Sequence, residues 1–176
     1  MHIAFVGSGK VAQALVDMVD TEEHNIHLYA RSSDVIDIFM FTTISSDLYS
    51  VIKNKTIDLV IDLLAHNDDA LFVSKKIIKD SLSNNKSVIT ANKKLMRRFG
   101  NELCEHAKNT NDQLYINSIV ASSSLFNAYP VYLSIDNFKK LNNSSDLFTY
   151  RGAGPKETAE AINKEIKKIW KIKNAK

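Results

Sequence analysis

Apolar positions along the chain fall into short runs separated by longer amphipathic stretches, and the alternation repeats. Ile3-Ala4-Phe5-Val6 is a short apolar run that stops at Gly7. The next apolar set, Val11, Ala14, Leu15, Met18 and Val19, recurs at helical spacing and predicts an amphipathic helix. Ile26-His27-Leu28-Tyr29-Ala30 alternates as a second strand does. Ile36 to Thr43 is apolar enough for a short third strand, after which Ser45 or Ser46 is placed to cap a helix ending near Asn54. Ile57 to Leu64 is almost continuously apolar, the pattern of a strand buried on both faces, and Asn67 or Asp68 then suits the N-cap of a helix through Ala70, Val73, Ile77 and Ile78. A fifth strand and its loop occupy Lys86 to Lys93, a helix covers about Lys94 to Asn109, and Gln113 to Asn117 reads as a sixth strand. Strand and helix alternating this often predict an α/β fold, a doubly wound parallel sheet with right-handed crossovers.

From Ser118 the pattern loosens. Ala121 to Ser124 is a small polar loop, Leu125 to Phe138 fits helix or strand around Pro130, Asn142 to Ser145 is a turn, and Leu147 to Tyr150 is short and strand-like. Arg151-Gly152-Ala153-Gly154-Pro155 then ends a strand and opens a last helix with proline in its first turn, running through Thr158, Ala161, Ile162, Ile166, Ile169 and Trp170. There is no internal repeat and no low-complexity linker.

Composition sharpens this only in part. The 176 residues are 44% hydrophobic and 24% charged, the balance of one globular domain with a sizeable core. The net charge of +3 comes with lysines gathered at Lys164, Lys167, Lys168, Lys171, Lys173 and Lys176. No aromatic platform or nucleic-acid motif accompanies them, so a solvated helix face is expected rather than a nucleic-acid surface. The single cysteine, Cys104, excludes an internal disulfide and a cysteine-rich metal site, and its setting on an amphipathic helix suits a half-buried structural thiol. His66 has no second ligand at metal spacing, so no metal site is expected. No apolar run reaches the length of a membrane span and Met1 leads directly into the first strand, which makes a cytoplasmic location the expectation.

The chemistry concentrates at the ends of the predicted strands. Gly7-Ser8-Gly9-Lys10-Val11-Ala12 is a G-x-G-x-x-A segment between the first strand and first helix. Its first glycine permits a tight turn, its second lets a pyrophosphate approach the backbone, and the small third residue allows close helix packing, with the N–H groups of the helix start facing the anion. This predicts a dinucleotide site. Arg31 and Ser32 follow the second strand, where an arginine accommodates a 2′-phosphate and an acidic residue holds a ribose 2′-hydroxyl, so NADP is preferred while Asp34 keeps NAD open. Ligands of open parallel sheets bind at the carboxyl ends of the strands, which brings in Ala65, Thr90, Asn92 and Lys93. Asp62, near the end of the fourth strand, either caps the next loop or faces the ligand.

Three separated segments resemble one family, the homoserine dehydrogenases: Val6 to Ala12 resembles its cofactor loop, Thr90-Ala91-Asn92-Lys93 its Thr-Ala-Asn-Lys signature, and Gly152-Ala153-Gly154-Pro155 its Gly-Ala-Gly segment before an alanine-rich helix. The resemblance implies a Rossmann-type NAD(P)-binding domain in which Gly7, Gly9, Lys10 and Val11 surround the pyrophosphate, Lys93 lies near the nicotinamide, and Gly154 touches the cofactor from a segment returning to the sheet. It also implies hydride transfer between aspartate semialdehyde and homoserine, with a small amino-acid-like substrate. Hydride transfer needs a group at the carbonyl oxygen, and Lys93 is the candidate, either to polarise that oxygen or to serve as the acid. The chain departs from the family in two places. Residues 125–150 stand where the family carries its whole substrate and dimerisation domain, and Ile116-Asn117 with Val120 to Ser124 does not follow the sodium-site pattern. The expected organisation is therefore one domain over 1–176: core βα units over 1–117, a short replacement for the substrate domain over 118–150, and a returning helix over 151–176. The expected function is an NADP(H)-binding, oxidoreductase-like protein; the alternatives are a non-catalytic regulatory or partner subunit, as a homo-oligomer or with a complementary chain, and one half of a split dehydrogenase.

Overall fold

The computed structural model describes residues 1–31, 40–65, 67–109, 114–116 and 154–174. Strands β1 (His2–Val6), β2 (Asn25–Tyr29), β3 (Thr43–Ser45), β4 (Leu59–Asp62), β5 (Ser87–Thr90) and β6 (Leu114–Ile116) form one sheet in the order β3-β2-β1-β4-β5-β6. Every pairing is parallel. The helices are α1 (Lys10–Val16), α2 (Ser50–Lys53), α3 (Asp68–Ser83), α4 (Lys93–Asn109) and α5 (Pro155–Asn174). Val6 pairs with both Tyr29 and Asp62, and Asp62 pairs with Thr90, so the carboxyl ends of four strands lie level along one edge.

The central strands are apolar throughout because both of their faces are covered. On one face Ala4, Val6, Val60 and Val88 pack beneath Leu71, Ile77 and Leu82 of α3 and Leu95 and Leu103 of α4. On the other, Ile3, Phe5, Leu59, Ile61 and Ile89 meet Ala12, Leu15 and Val16 of α1 and Ala159, Ile162, Ile166 and Ile169 of α5. Successive strand side chains point to opposite faces, so each strand feeds both layers. Cys104 is buried in the first layer. In α5 the lysines Lys164, Lys167, Lys171 and Lys173 are exposed while Ile162, Ile166 and Ile169 face inward, the solvated face that the spacing predicts.

Helix α5 closes the second layer from the far end of the chain. Asn163 Nδ2 donates to the Met18 carbonyl at 3.0 Å, Trp170 meets His24 edge-on at 5.2 Å, and Lys173 Nζ lies 3.6 Å from the carboxylate of Asp58, which precedes β4. The partners advance together along both segments, so α5 runs in the same direction as α1 and both helices start at the carboxyl edge of the sheet. Gly154 lies nine residues before Asn163, as Gly9 does before Met18, so the two glycines head the parallel pair.

Three expectations about local structure are corrected. The third strand is Thr43–Ser45 rather than a stretch within Ile36 to Thr43, of which residues 40–43 are described. Phe41 is instead turned across onto Phe5, with ring centroids 5.9 Å apart, and the strand itself is a polar, mostly exposed sheet edge that apolarity cannot reveal. The helix expected from Ser45 or Ser46 begins only at Ser50, because Ser45 and Asp47 turn their side chains onto the local backbone: Ser45 Oγ accepts from Asp47 N at 3.2 Å and Asp47 Oδ1 from Tyr49 N at 2.9 Å. The first helix stops at Val16 and Met18 and Val19 continue as a turn, although Leu15 and Val19 are buried as its periodicity predicts. No described helix is long and apolar enough to cross a membrane, and among the described residues no cluster of three His, Cys, Asp or Glu side chains could hold a metal ion.

At the opposite edge, His2 Nδ1 and His27 Nε2 stand 3.0 Å apart, and His27 is buried. Burial, and then the charge of His2, push the His27 pKa below its ordinary 6.5. The unfolded chain therefore binds this proton more readily than the folded one, so stability rises with pH between the lowered value and 6.5 and is lost as pH falls through that window. Urea midpoints measured from neutral to mildly acidic pH should fall, and His27→Asn should remove part of that slope; an unchanged slope in the variant contradicts the assignment.

Candidate functional site

The carboxyl edge is built around the exit of β1. Gly7 has φ +113°, and a Cβ there would stand 2.7 Å from the Leu63 carbonyl oxygen, so the β1–α1 turn and the chain leaving β4 cross too closely for a side chain. Gly7 N donates to the Tyr29 carbonyl at 2.9 Å, and Leu63 N to the Val6 carbonyl at 2.9 Å, which ties three strand ends to this crossing. Gly9 is different. It is the N-cap of α1 with an ordinary φ of −70°, and a Cβ on it would meet nothing within 4 Å. The fold requires glycine at position 7 and leaves position 9 open to whatever occupies the space beside it.

That space is a cleft of about 440 Å³. Gly7, Ser8 and Gly9 form one wall, Ala30 and Arg31 close it behind β2, and Leu63, Leu64 and Ala65 border it behind β4. Asn67, Asp69, Ala70 and Val73 of the α3 end and Leu48 complete it. The loop is braced from within α1, where Gln13 N donates to the Gly9 carbonyl at 3.1 Å and Gln13 Nε2 to the Ser8 carbonyl at 3.4 Å. The N–H groups of the first turn of α1 precede that first helical bond and have no acceptor within the helix. Arg31 is exposed at the rim.

Five of the residues singled out from the sequence, Gly7, Ser8, Gly9, Arg31 and Ala65, thus line one cleft, and Lys10 and Val11 open the helix beside it. Ser32, Asp34 and His66 lie outside the described residues. Thr90 is fully buried, and its hydroxyl donates to Asp62 Oδ2 at 2.8 Å and accepts from Asn92 N at 3.2 Å, so it ties strand ends together. Asp62, also buried, accepts from Ser74 Oγ at 2.9 Å and from Leu64 N at 3.4 Å. Of its two readings, the loop-capping one is the geometry observed. Asn92 caps α4 through Leu95 N at 3.0 Å, and Lys93 is the next residue, half-buried, where desolvation pushes its ammonium pKa down. Lys93 and Gly154 stand on the same edge but outside the lining of the cleft. The Gly154 carbonyl accepts the first helical bond of α5 from Thr158 N at 3.1 Å, and its missing Cβ would meet the Glu157 carboxylate, a side chain free to turn away.

Leu48, Asn67, Asp69, Ala70 and Val73 are cleft residues that reasoning from the sequence did not assign to the site. Asn67 was legible as a helix cap, and it does accept from Ala70 N at 2.9 Å. The signal for Asp69, Ala70 and Val73 was the position of α3 directly behind β4, next to the glycine turn, which depends on the strand order.

Residues 7–117 match the family model described as homoserine dehydrogenase, NAD binding domain. A homoserine dehydrogenase of Bacillus subtilis is 32% identical over 78 residues, which is 44% of this chain and 17% of that relative. Among solved structures, S. aureus homoserine dehydrogenase superposes with a TM-score of 0.56 at 21% identity, over 69% of this chain and 34% of that one. A hyperthermophilic archaeal homoserine dehydrogenase in complex with NADPH gives 0.54 at 19% identity, over 69% and 44%. Biliverdin reductase from Synechocystis, in complex with biliverdin and NADP+, gives 0.54 at 17% identity, over 67% and 38%. The chain covers about a third of the S. aureus structure, and at these identities the structural likeness speaks for the fold alone.

The two glycines of the turn should separate under one substitution. Gly7→Ser should lower folding stability by about 2 kcal/mol or more through strain and the clash with Leu63, whereas Gly9→Ser, with a good capping side chain facing open space, should change it by less than about 0.5 kcal/mol. Urea denaturation of the two variants checks both; equal losses would contradict the geometry.

Proposed function

Because the chain belongs to the homoserine dehydrogenase NAD-binding domain family, we propose that its cleft takes the adenosine and pyrophosphate part of a nicotinamide dinucleotide, with NADP(H) preferred over NAD(H). The observation that carries this reading is the difference between Gly7 and Gly9. A glycine with ordinary dihedrals and open space in front of it has no role in holding the folded chain together, and the close approach of a pyrophosphate to the backbone accounts for it. Gly7, Ser8, Lys10 and Val11 then surround the phosphates, with the first-turn N–H groups of α1 as donors. Ala65 borders the same path behind β4. Arg31 at the rim is the cation available to a 2′-phosphate, and Ser32 follows it in sequence.

The bound dinucleotide supplies hydride transfer. In this reading Lys93 stands on the nicotinamide side of the site as the group that polarises or protonates a carbonyl oxygen of a small amino-acid-like substrate, and its burial weakens its hold on that proton. Gly154, heading α5 beside α1, closes on the cofactor from the returning segment. In this reading 1–117 forms the cofactor core, 118–150 takes the place of a substrate domain and 151–176 returns to the core of a cytoplasmic protein. Whatever else grips the substrate comes from a second copy or a complementary chain. Homoserine-dependent reduction of NADP+ by the purified chain distinguishes an oxidoreductase from a binding subunit, and a co-purifying polypeptide favours the split enzyme.

Two binding measurements test the assignment. By calorimetry, NADPH should bind several-fold more tightly than NADH, and Arg31→Ala should bring the two together by removing roughly one charge-assisted hydrogen bond; equal affinities in the parent chain contradict the 2′-phosphate role. Gly9→Val should abolish binding of both dinucleotides and Gly9→Ser should weaken it, both in variants that circular dichroism shows to be folded. Unchanged affinity in either variant removes the cofactor-loop assignment.

A further inference from the structure

Two charged side chains stand in the described lining of the cleft, Arg31 behind β2 and Asp69 in the first turn of α3. Asp69 and its neighbour Asp68 are used differently. Asp68 Oδ1 lies 2.9 Å from Lys94 Nζ and 3.7 Å from Arg98 Nη1, and the hydrogen bond from Lys94 holds its carboxyl below the usual range. Asp68 is thus tied to α4. Asp69 forms no hydrogen bond or ion pair with any described residue, and it lines the cleft.

Its position on the helix gives that carboxylate a direction. Asp69 and Val73 are four residues apart, on one face of α3, with Ala70 beside them, and Leu48 adds apolar surface to the same cleft. A flat heteroaromatic ring resting on Val73 presents its edge to a group one helical turn nearer the N-terminus, which is Asp69. The other polar side chain of this helix end, Asn67, already uses its Oδ1 to cap Ala70 N. An ionised carboxylate only accepts hydrogen bonds, so the ring edge facing it must donate. The exocyclic amine of adenine does; a purine with hydrogen in its place offers this carboxylate no donor.

We infer that Asp69 is the base-selecting residue of the cleft, accepting a hydrogen bond from the exocyclic amine of adenine and disfavouring a purine that lacks this amine. The inference rests on the dinucleotide reading and adds to it which end of the cleft reads the base and by what chemistry. A first-turn aspartate also suits the positive end of a helix, but in that role it has no preference among ligands.

The test compares NADPH with its purine analogue, which has hydrogen in place of the 6-amino group and the same ring nitrogens, by calorimetry on the full chain. NADPH should bind about tenfold more tightly, the size expected for one hydrogen bond to a charged acceptor. In Asp69→Ala, which offers no acceptor, the two should come within about twofold, while Asp68→Asn should keep the parent ratio. Equal binding of the two ligands by the parent chain overturns the inference, as does a ratio that survives in Asp69→Ala; in either case tight NADPH binding leaves the dinucleotide site itself standing. Asp69 serving a ribose hydroxyl would appear as one of these two results, because both ligands share the ribose. Failure of NADPH to bind at all removes both.

Discussion

The Leu63 carbonyl oxygen occupies the place where residue 7 would carry its first side-chain carbon. This contact between two backbones is what the carboxyl edge depends on. It brings the β1–α1 turn against the chain leaving β4, and these two segments are adjacent walls of the cleft. A side chain at position 7 would push them apart and misalign the loop, the start of α1 and the β4–α3 connection together. Parallel strands make this closeness available, since both segments leave the sheet at the same edge.

Behind the crossing, a buried carboxylate keeps the edge in register. Asp62 gathers Ser74 of α3, Thr90 of β5 and the backbone of Leu64, and Thr90 passes the link on to Asn92 at the head of α4. Three segments that would otherwise leave the sheet independently are joined through one side chain. Lys93 inherits its position from this network, one residue past the cap, and its half-buried setting lowers its proton affinity. The cleft and the lysine are therefore parts of one mechanical unit, although no wall of the cleft includes Lys93. Opposite them, α5 matches the direction of α1 and brings Gly154 to the same edge from far along the chain.

Legibility from sequence followed the physics of each element. Central strands buried on both faces and helices with an apolar stripe carry their structure in their hydrophobic pattern, so β1, β2, β4, β5, α3 and α4 were readable, with ends displaced by a few residues at β4. The edge strand β3 was not, because its exposed residues need no apolar pattern and the neighbouring Phe41 is apolar for packing on Phe5. The Ser45 and Asp47 turns delayed α2 for a related reason, since the same side chains suit a cap or a turn. Thr90 has the right position for a ligand contact, and only the proximity of Asp62 directs its hydroxyl inward.

By itself the amino-acid order determined the α/β alternation, the glycine turn and the kinship, because these depend on local spacing and on backbone freedom at single positions. Which glycine the fold requires and which it leaves open was decided by tertiary structure, since that distinction lies in what stands opposite each one: Leu63 against Gly7, open space against Gly9. The same holds for the two adjacent aspartates of α3, alike in sequence, of which one is drawn to α4 and the other lines the cleft. Partners far apart in the chain are fixed by strand order and helix direction, and a one-dimensional pattern carries neither.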